Sequence, residues 1–283
     1  MSQLLDGKLV SGKLLDRLAA EISGMPQPPI LAVILVGEDP ASQVYVGNKK
    51  RACARVGIVS REHLLPENAG QSALLALINQ LNADENVHGI LCQMPLPRGF
   101  DYDEQALCRA ISPAKDVDVF HPENVGKLML GEPDLLPCTP GGVLELLDDA
   151  GIDLAGKHVV VIGRSNIVGK PMAMLALQRN ATVTICHSRT KNLPSITRQA
   201  DVLVAAVGRL HFVTADMVKD GAVVVDVGIN RLEGRKVRGD VDFDAVAPKC
   251  SWITPVPGGV GPMTIAILMK NTLAAAKLQK EST

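Results

Sequence analysis

Aromatic side chains are nearly missing from this chain: Phe, Trp and Tyr make up 2% of its 283 residues. Its interior must therefore be built from Val, Leu, Ile and Ala, which favours buried parallel strands covered by helices. Neither sign of charge is in excess, the formal net charge being −1. That balance gives no reason to expect a nucleic acid or an anionic membrane as partner. There is no Cys-x-x-Cys and no His at zinc-finger spacing, so no metal site is expected. The six cysteines, at 53, 92, 108, 138, 186 and 250, read as reduced thiols of a cytoplasmic protein. Met1 to Val10 carry Asp6 and Lys8 and lack the apolar core of a secretory signal. The longest clean apolar run, Ile30 to Val36, falls far short of the roughly 18 residues that span a bilayer.

What is present is an alternation of strand and helix signals. Val10, Leu14, Leu18 and Ile22 recur every four residues behind a capping Asp6 and predict a helix. Ile30–Val36, bounded by Pro29 and Gly37, predicts a buried strand. Asp39-Pro40 opens a helix from about Pro40 to Val56, which Gly57 ends. A short strand at 63–65, a helix at 72–82 and a strand at 89–92 follow. The series resumes with a helix from Thr139-Pro140, a strand at 158–162, a helix at 168–178 and strands at 181–186, 201–207 and 222–227. A hairpin over 233–238 and a helix over 262–280 complete it. The expected fold class is α/β: two three-layer domains with mainly parallel sheets, the second Rossmann-like, flanking a cleft. Residues 1–139 form the first domain, with helix 263–283 packing back on it, and 140–262 the second.

The strand at 158–162 runs into Gly163-Arg164-Ser165 and then Val168-Gly169. A glycine turn at a helix start presents main-chain N–H groups to an anion. Ser165 stands where a dinucleotide fingerprint has its middle glycine, so a plain β–α turn without a ligand remains the alternative. The next strand ends in Cys186-His187-Ser188-Arg189-Thr190, with no carboxylate to repel a 2′-phosphate. Ser188, Arg189 and Arg164 together point to NADP rather than NAD, although Arg189 by itself reads as a solvated surface residue.

Tyr45 and Lys49 lie one helical turn apart on a shared face, with Ser42 a turn earlier. One reading is an exposed lysine whose stem rests on the tyrosine. The other is a partly desolvated lysine in a cleft, able to serve as acid and base. The loops Gln93 to Pro97 and Lys115 to His121 end at the same sheet edge. There Gln93 offers a donor and an acceptor, and Asp118 can grip a heterocycle bearing N–H groups.

Together these segments resemble the bifunctional methylenetetrahydrofolate dehydrogenase / methenyltetrahydrofolate cyclohydrolase family over essentially the whole chain. The motifs that carry the resemblance are Ser42, Tyr45 and Lys49; Gln93-Met94-Pro95-Leu96-Pro97; Lys115-Asp116-Val117-Asp118; Pro137-Cys138-Thr139-Pro140-Gly141-Gly142; the glycine turn at 163–169; Val225 to Asn230; and Pro257 to Thr264. The resemblance implies that Lys49 is the catalytic group, that Gln93 orients it, that Tyr45 packs on the folate ring system and that Asp118 binds the pterin. It matches Gly163, Arg164, Ser165 and Ile229 to cofactor contacts, and Pro257 and Gly258 to a substrate-closing loop. The implied reactions are NADP-dependent oxidation of 5,10-methylenetetrahydrofolate and hydrolysis of the methenyl product to 10-formyltetrahydrofolate for purine biosynthesis. A cytoplasmic homodimer is implied as well. One departure is visible: the family usually has glycine after Asp118, and this chain has Val119.

Two rival readings stand beside it. Ser42, Tyr45 and Lys49 mimic a short-chain dehydrogenase, but in that family the glycine turn comes before the Tyr-x-x-x-Lys, and here the order is reversed. A non-catalytic NADP-binding sensor module would give Lys49, Gln93 and Asp118 no purpose.

Overall fold

The computed structural model describes residues 2–232 and 236–281 (for Ala41, the backbone only). The chain forms two compact units. One comprises Lys13–Cys138 and Ile265–Thr283; the other comprises Met1–Gly12 and Thr139–Thr264. The expected first domain over 1–139 is thus corrected at its beginning. Strand β1 (Gln3–Leu4) pairs in parallel with Trp252–Ile253. Gly7 lies so close to the chain at Gly259 that a Cβ there would meet the Gly259 carbonyl oxygen at 1.7 Å. A two-residue strand has no periodicity to read, so this pairing leaves no trace in the sequence.

Helix α1 (Gly7–Ser23) starts on Asp6, whose carboxylate accepts from the N–H groups of Lys8 and Leu9 at 2.9 and 3.1 Å. Then come β2 (Ile30–Val36), α2 (Pro40–Val56), β3 (Val59–Leu65), α3 (Gly70–Ala83), β4 (Gly89–Cys92), α4 (Glu104–Ala110) and α5 (Pro122–Leu130). The three strands form a parallel sheet in the order β3-β2-β4. Strand β2 is apolar throughout because both its faces are covered. Ala32, Ile34 and Val36 pack with Leu74, Ile78 and Leu107 from α3 and α4, while Leu31 and Val33 on the other face are buried too. Helix α2 has the expected ends: Asp39 caps it, Pro40 opens it, and Gly57 closes it at φ 85°.

The second half continues with α6 (Cys138–Asp149), β5 (His158–Ile162), α7 (Gly169–Gln178), β6 (Thr182–Cys186), α8 (Leu193–Thr197), β7 (Val202–Ala205) and β8 (Val223–Asp226). It closes with β9 (Asn230–Arg231), β10 (Val237–Arg238), α9 (Phe243–Val246), β11 (Trp252–Ile253) and α10 (Val260–Glu281). Six parallel strands stand in the order β1-β11-β8-β7-β5-β6. Strand β6 lies on one side of β5 and β7 on the other, so the winding reverses at β5. Ligands of doubly wound sheets bind beyond the carboxyl ends of the strands at such a switch point. Of the expected hairpin, β9 and β10 pair antiparallel, and the Glu233-Gly234-Arg235 turn lies outside the described residues. Helix α10 begins at Val260 rather than Pro262. The proline thus falls in its first turn, where a missing N–H costs no helical bond.

Candidate active site and dinucleotide site

Lys49 and Tyr45 are half-buried on α2. Lys49 Nζ donates to Gln93 Oε1 at 2.9 Å. Gln93 is buried just past β4, its own N–H bonded to the Ile34 carbonyl at 2.9 Å. Its Nε2 donates to the Met94 carbonyl at 2.6 Å, which leaves the amide oxygen facing the lysine. Ser42 has a different task. Its N–H and its hydroxyl both donate to Asp39 Oδ2, at 2.8 and 2.9 Å, so it is bound by the cap of α2 rather than joining Tyr45 and Lys49.

The Lys115–Asp118 segment lies beside β4 through a parallel bridge between Ile90 and Asp116. Three of its four residues are occupied structurally. Lys115 turns inward, and its ammonium donates to the carbonyls of Leu81, Asn82 and Asp84 at 3.1, 2.8 and 2.7 Å, closing the end of α3. Asp116 accepts from the N–H groups of Val119 and His121 and from the Asn124 amide. Burial pushes its carboxyl up, and the His121 and Asn124 donors draw it back. The Val117 carbonyl accepts from Asn271 Nδ2 at 2.8 Å and from the Cys138 thiol at 3.4 Å. Asp118 differs: no main-chain N–H among the described residues donates to its carboxylate. Burial pushes that carboxyl up, and the Lys49 charge and the Cys138 thiol oppose the shift. Lys49, Gln93 and Asp118 therefore stand in one unit, with Gln93 orienting the lysine and Asp118 keeping a carboxylate that no main-chain N–H among the described residues occupies.

Val119 adopts φ 65°, the left-handed region in which glycine is unstrained. Its side chain is 2% exposed, and its N–H still donates to Asp116. Holding a β-branched residue there costs about 1–2 kcal/mol. Burying its isopropyl group returns about 1.5–3 kcal/mol, so the turn keeps its shape with valine in place. Asn271 of α10 was missed by the sequence reading. It is buried and also donates to the Leu136 carbonyl at 2.7 Å, tying the 136–138 segment to the Asp118 loop. An asparagine on the face shared with Ile267 and Leu268 was the available signal.

In the other unit, Gly163 follows β5 at φ 136°, and a Cβ on it would meet the Ala206 carbonyl oxygen at 2.3 Å. A Cβ on Gly169 would meet the Gly163 carbonyl oxygen, also at 2.3 Å. The turn closes only with glycine at both places. Ser165 Oγ accepts from the N–H groups of Val168 and Gly169 at 3.1 and 3.3 Å, so the first donors of α7 serve a cap. Among the described residues, the main-chain N–H groups of Arg164, Ser165 and Asn166 donate to no protein acceptor. With the exposed Arg164 side chain they fit a phosphate ligand. After β6, the His187 N–H donates to Thr190 Oγ1 at 2.9 Å, and the turn presents Ser188 and Arg189 to solvent. Ile229 is 46% exposed in the loop after β8. Pro257 and Gly258 belong to this same unit, where the Gly258 carbonyl accepts from the Lys8 N–H at 3.2 Å. Only the 257–259 part of the expected loop is irregular, since α10 starts at Val260. The structure thus gathers Tyr45, Lys49, Gln93 and Asp118 in one unit and the remaining expected site residues in the other.

A doubly wound parallel sheet with a glycine turn at its switch point, alongside a second α/β unit bearing an oriented lysine, defines a dinucleotide-dependent two-domain enzyme. Residues 137–280 match the tetrahydrofolate dehydrogenase/cyclohydrolase NAD(P)-binding domain, and residues 5–118 match the catalytic domain of the same family. The bifunctional protein FolD of Acetivibrio thermocellus is 57% identical over 281 residues, 98% of each chain. The Campylobacter jejuni methylenetetrahydrofolate dehydrogenase/cyclohydrolase structure superposes with a TM-score of 0.94 at 52% identity, covering 98% of this chain and 99% of the other. The Trypanosoma brucei enzyme, solved with NADP and an inhibitor, gives 0.92 at 38% identity over 98% of each chain. The chain belongs to the tetrahydrofolate dehydrogenase/cyclohydrolase family and is an enzyme with both of its activities. Nothing in these matches supports a non-catalytic sensor module. No helix among the described residues is long and apolar enough to cross a membrane.

Proposed function

We propose that Lys49 is the acid–base group for hydrolysis of the methenyl product to 10-formyltetrahydrofolate, the step that follows oxidation of 5,10-methylenetetrahydrofolate with NADP. The observation that carries this reading is the Lys49–Gln93 hydrogen bond at 2.9 Å. A neutral amide oxygen, itself held by the Met94 carbonyl through Nε2, fixes the direction in which the ammonium points. Lys49 in its neutral form takes a proton from water as the oxygen bonds to the methenyl carbon. It returns that proton to N5 as the carbon–N5 bond breaks, and the remaining hydroxyl proton passes to solvent as the carbonyl forms, leaving the formyl group on N10 and releasing one proton per turnover. Tyr45 packs on the folate rings, and Asp118 accepts hydrogen bonds from the pterin N–H groups. NADP, when bound, supplies the hydride acceptor.

Gly163, Arg164 and Ser165 hold the diphosphate in this reading, Ser188 and Arg189 hold the 2′-phosphate, and Ile229 is a further contact. Pro257 and Gly258 contact the substrate. Lys13–Cys138 with Ile265–Thr283 is then the folate-binding domain, and the other unit the NADP-binding one. The resemblance extends the proposal to a cytoplasmic homodimer whose product serves purine biosynthesis. The test is NADPH or NADH formation from methylenetetrahydrofolate with each dinucleotide in parallel. A charge-assisted phosphate contact is worth about 1.5–3 kcal/mol, so NADP should be favoured by roughly ten- to a hundredfold. Equal efficiency with both would sink the NADP assignment.

A further inference from the structure

Two carboxylates are buried at the carboxyl edge of the six-stranded sheet. Asp226, the last residue of β8, is 4% exposed, and Asp240 is fully buried. Asp226 accepts from the N–H groups of Gly228, Asp240 and Val241, each at 2.9 Å. Asp240 accepts from the N–H groups of Val207, Gly208 and Arg209 at 2.7, 2.9 and 2.8 Å, and from the Asn230 side-chain amide at 2.9 Å. The pair forms a relay. Asp226 holds the backbone at 240–241, and the Asp240 side chain holds the loop after β7 and the residue beside Ile229. Glycines make the room: a Cβ at Gly239 would meet Asp226 Oδ2 at 1.8 Å, and one at Gly228 would meet Asp240 Oδ1 at 2.2 Å.

Burying two carboxylates together costs more than filling the same space with apolar side chains. Here every main-chain donor they gather lies outside the strands, on segments past the carboxyl ends of β7 and β8. The 207–209 loop leaves β7 beside Ala206, whose carbonyl Gly163 packs against, so it borders the switch point. Sheet pairing would not need this arrangement; a loop whose shape must be fixed before a ligand arrives would.

We propose that Asp226 and Asp240 are positioning residues for the dinucleotide, holding the 207–209 loop and the Ile229–Asn230 segment in the shape that receives NADP. The inference rests on the reading of this unit as the NADP-binding one. Asp240→Asn is isosteric but turns an NH₂ group toward backbone donors, so the loop must rearrange. The experiment measures the NADP dissociation constant by calorimetry on the full chain, and cyclohydrolase activity on methenyltetrahydrofolate with no dinucleotide present. The variant should bind NADP at least tenfold more weakly and keep its cyclohydrolase rate within about twofold of wild type. NADP affinity within twofold of wild type would overturn the proposal. So would a cyclohydrolase loss that matches the NADP loss, since that marks a general structural role. If circular dichroism shows Asp240→Asn unfolded, Asn230→Ala decides: it removes one link and keeps both carboxylates. A threefold or greater rise in the dissociation constant with full cyclohydrolase activity supports the relay, and an unchanged constant overturns it. A wild-type chain with no affinity for NADP would instead overturn the dinucleotide reading, and this proposal with it.

Discussion

Lys49 donates to Gln93, and two substitutions separate the lysine's charge from its length. Lys49→Met keeps the apolar stem and removes the proton carrier. The cyclohydrolase step should fall by about a hundred- to ten-thousandfold, the range typical of general acid–base groups. The dehydrogenase step should fall less, because hydride transfer draws mainly on alignment. Lys49→Arg should not restore hydrolysis, since a guanidinium does not give up its proton in this pH range. Following methenyltetrahydrofolate loss and NADPH formation on both purified variants decides the matter; a cyclohydrolase rate within about threefold of wild type in Lys49→Met would remove the lysine from the mechanism. Asp118 is tested through binding. Asp118→Asn keeps one acceptor and loses the charge, so folate affinity should drop while NADP affinity stays near wild type. Separate titrations of the two ligands check this, and equal losses for both would mean that Asp118 supports the fold.

Lys115 shows how a motif residue can serve an element rather than a ligand. Lys115→Met would leave three carbonyls at the end of α3 without their donor. Hydrogen bonds to a charged group contribute about 1.5–3 kcal/mol, so a loss of about 2–4 kcal/mol in urea unfolding is expected. A loss under about 0.5 kcal/mol would mean that water takes over the cap. This role was not legible in the sequence, because Lys115 and Leu81 are 34 residues apart. Asn271 and Val117, 154 residues apart, were hidden for the same reason. Elements with local signals were legible: α2 has the ends that Asp39-Pro40 and Gly57 predict, and β2 and β4 match their apolar runs. Strand β3 extends back to Val59, beyond the expected 63–65, because Ser60, Arg61 and Glu62 on this edge strand break the apolar pattern. Helices α4, α5 and α8 span seven, nine and five residues, too few for a periodic stripe to stand out. Of the candidate site, the placement of Lys49, Gln93 and Asp118 in one unit, with Lys49 bonded to Gln93, was legible because a helix face and the loop after β4 carry local signals. The Asp226–Asp240 pair was not, since its acceptors serve backbone groups that carry no sequence signal.

At the scale of the whole molecule, the near absence of aromatics makes one unfolding signal local. Trp252, the only tryptophan, lies in β11, in the unit that contains Asp226. Its fluorescence follows that unit even if the chain does not unfold in a single transition. Burial pushes the Asp226 carboxyl up to about 6, against the pull of its three N–H donors. The unfolded value is near 3.8, so between about pH 4 and pH 6 the native state binds the extra proton. Stability from this group is therefore fully present below pH 4 and is lost as pH rises through 6. Asp84 and Asp201 act in the opposite sense. Their carboxyls are held low, Asp84 by the Asn86 N–H and Asp201 by Lys219, so their contributions fade as pH falls. Both side chains are about a third exposed, which keeps those contributions small. Asp226→Asn removes the buried titration and disturbs the three N–H bonds as well, but only the titration varies with pH. The stability gap between wild type and Asp226→Asn, read from Trp252 in urea, should shrink by up to about 2–3 kcal/mol from pH 4 to pH 7. A gap that stays constant or widens toward pH 7 would mean that the three N–H donors outweigh burial and that Asp226 is ionised throughout.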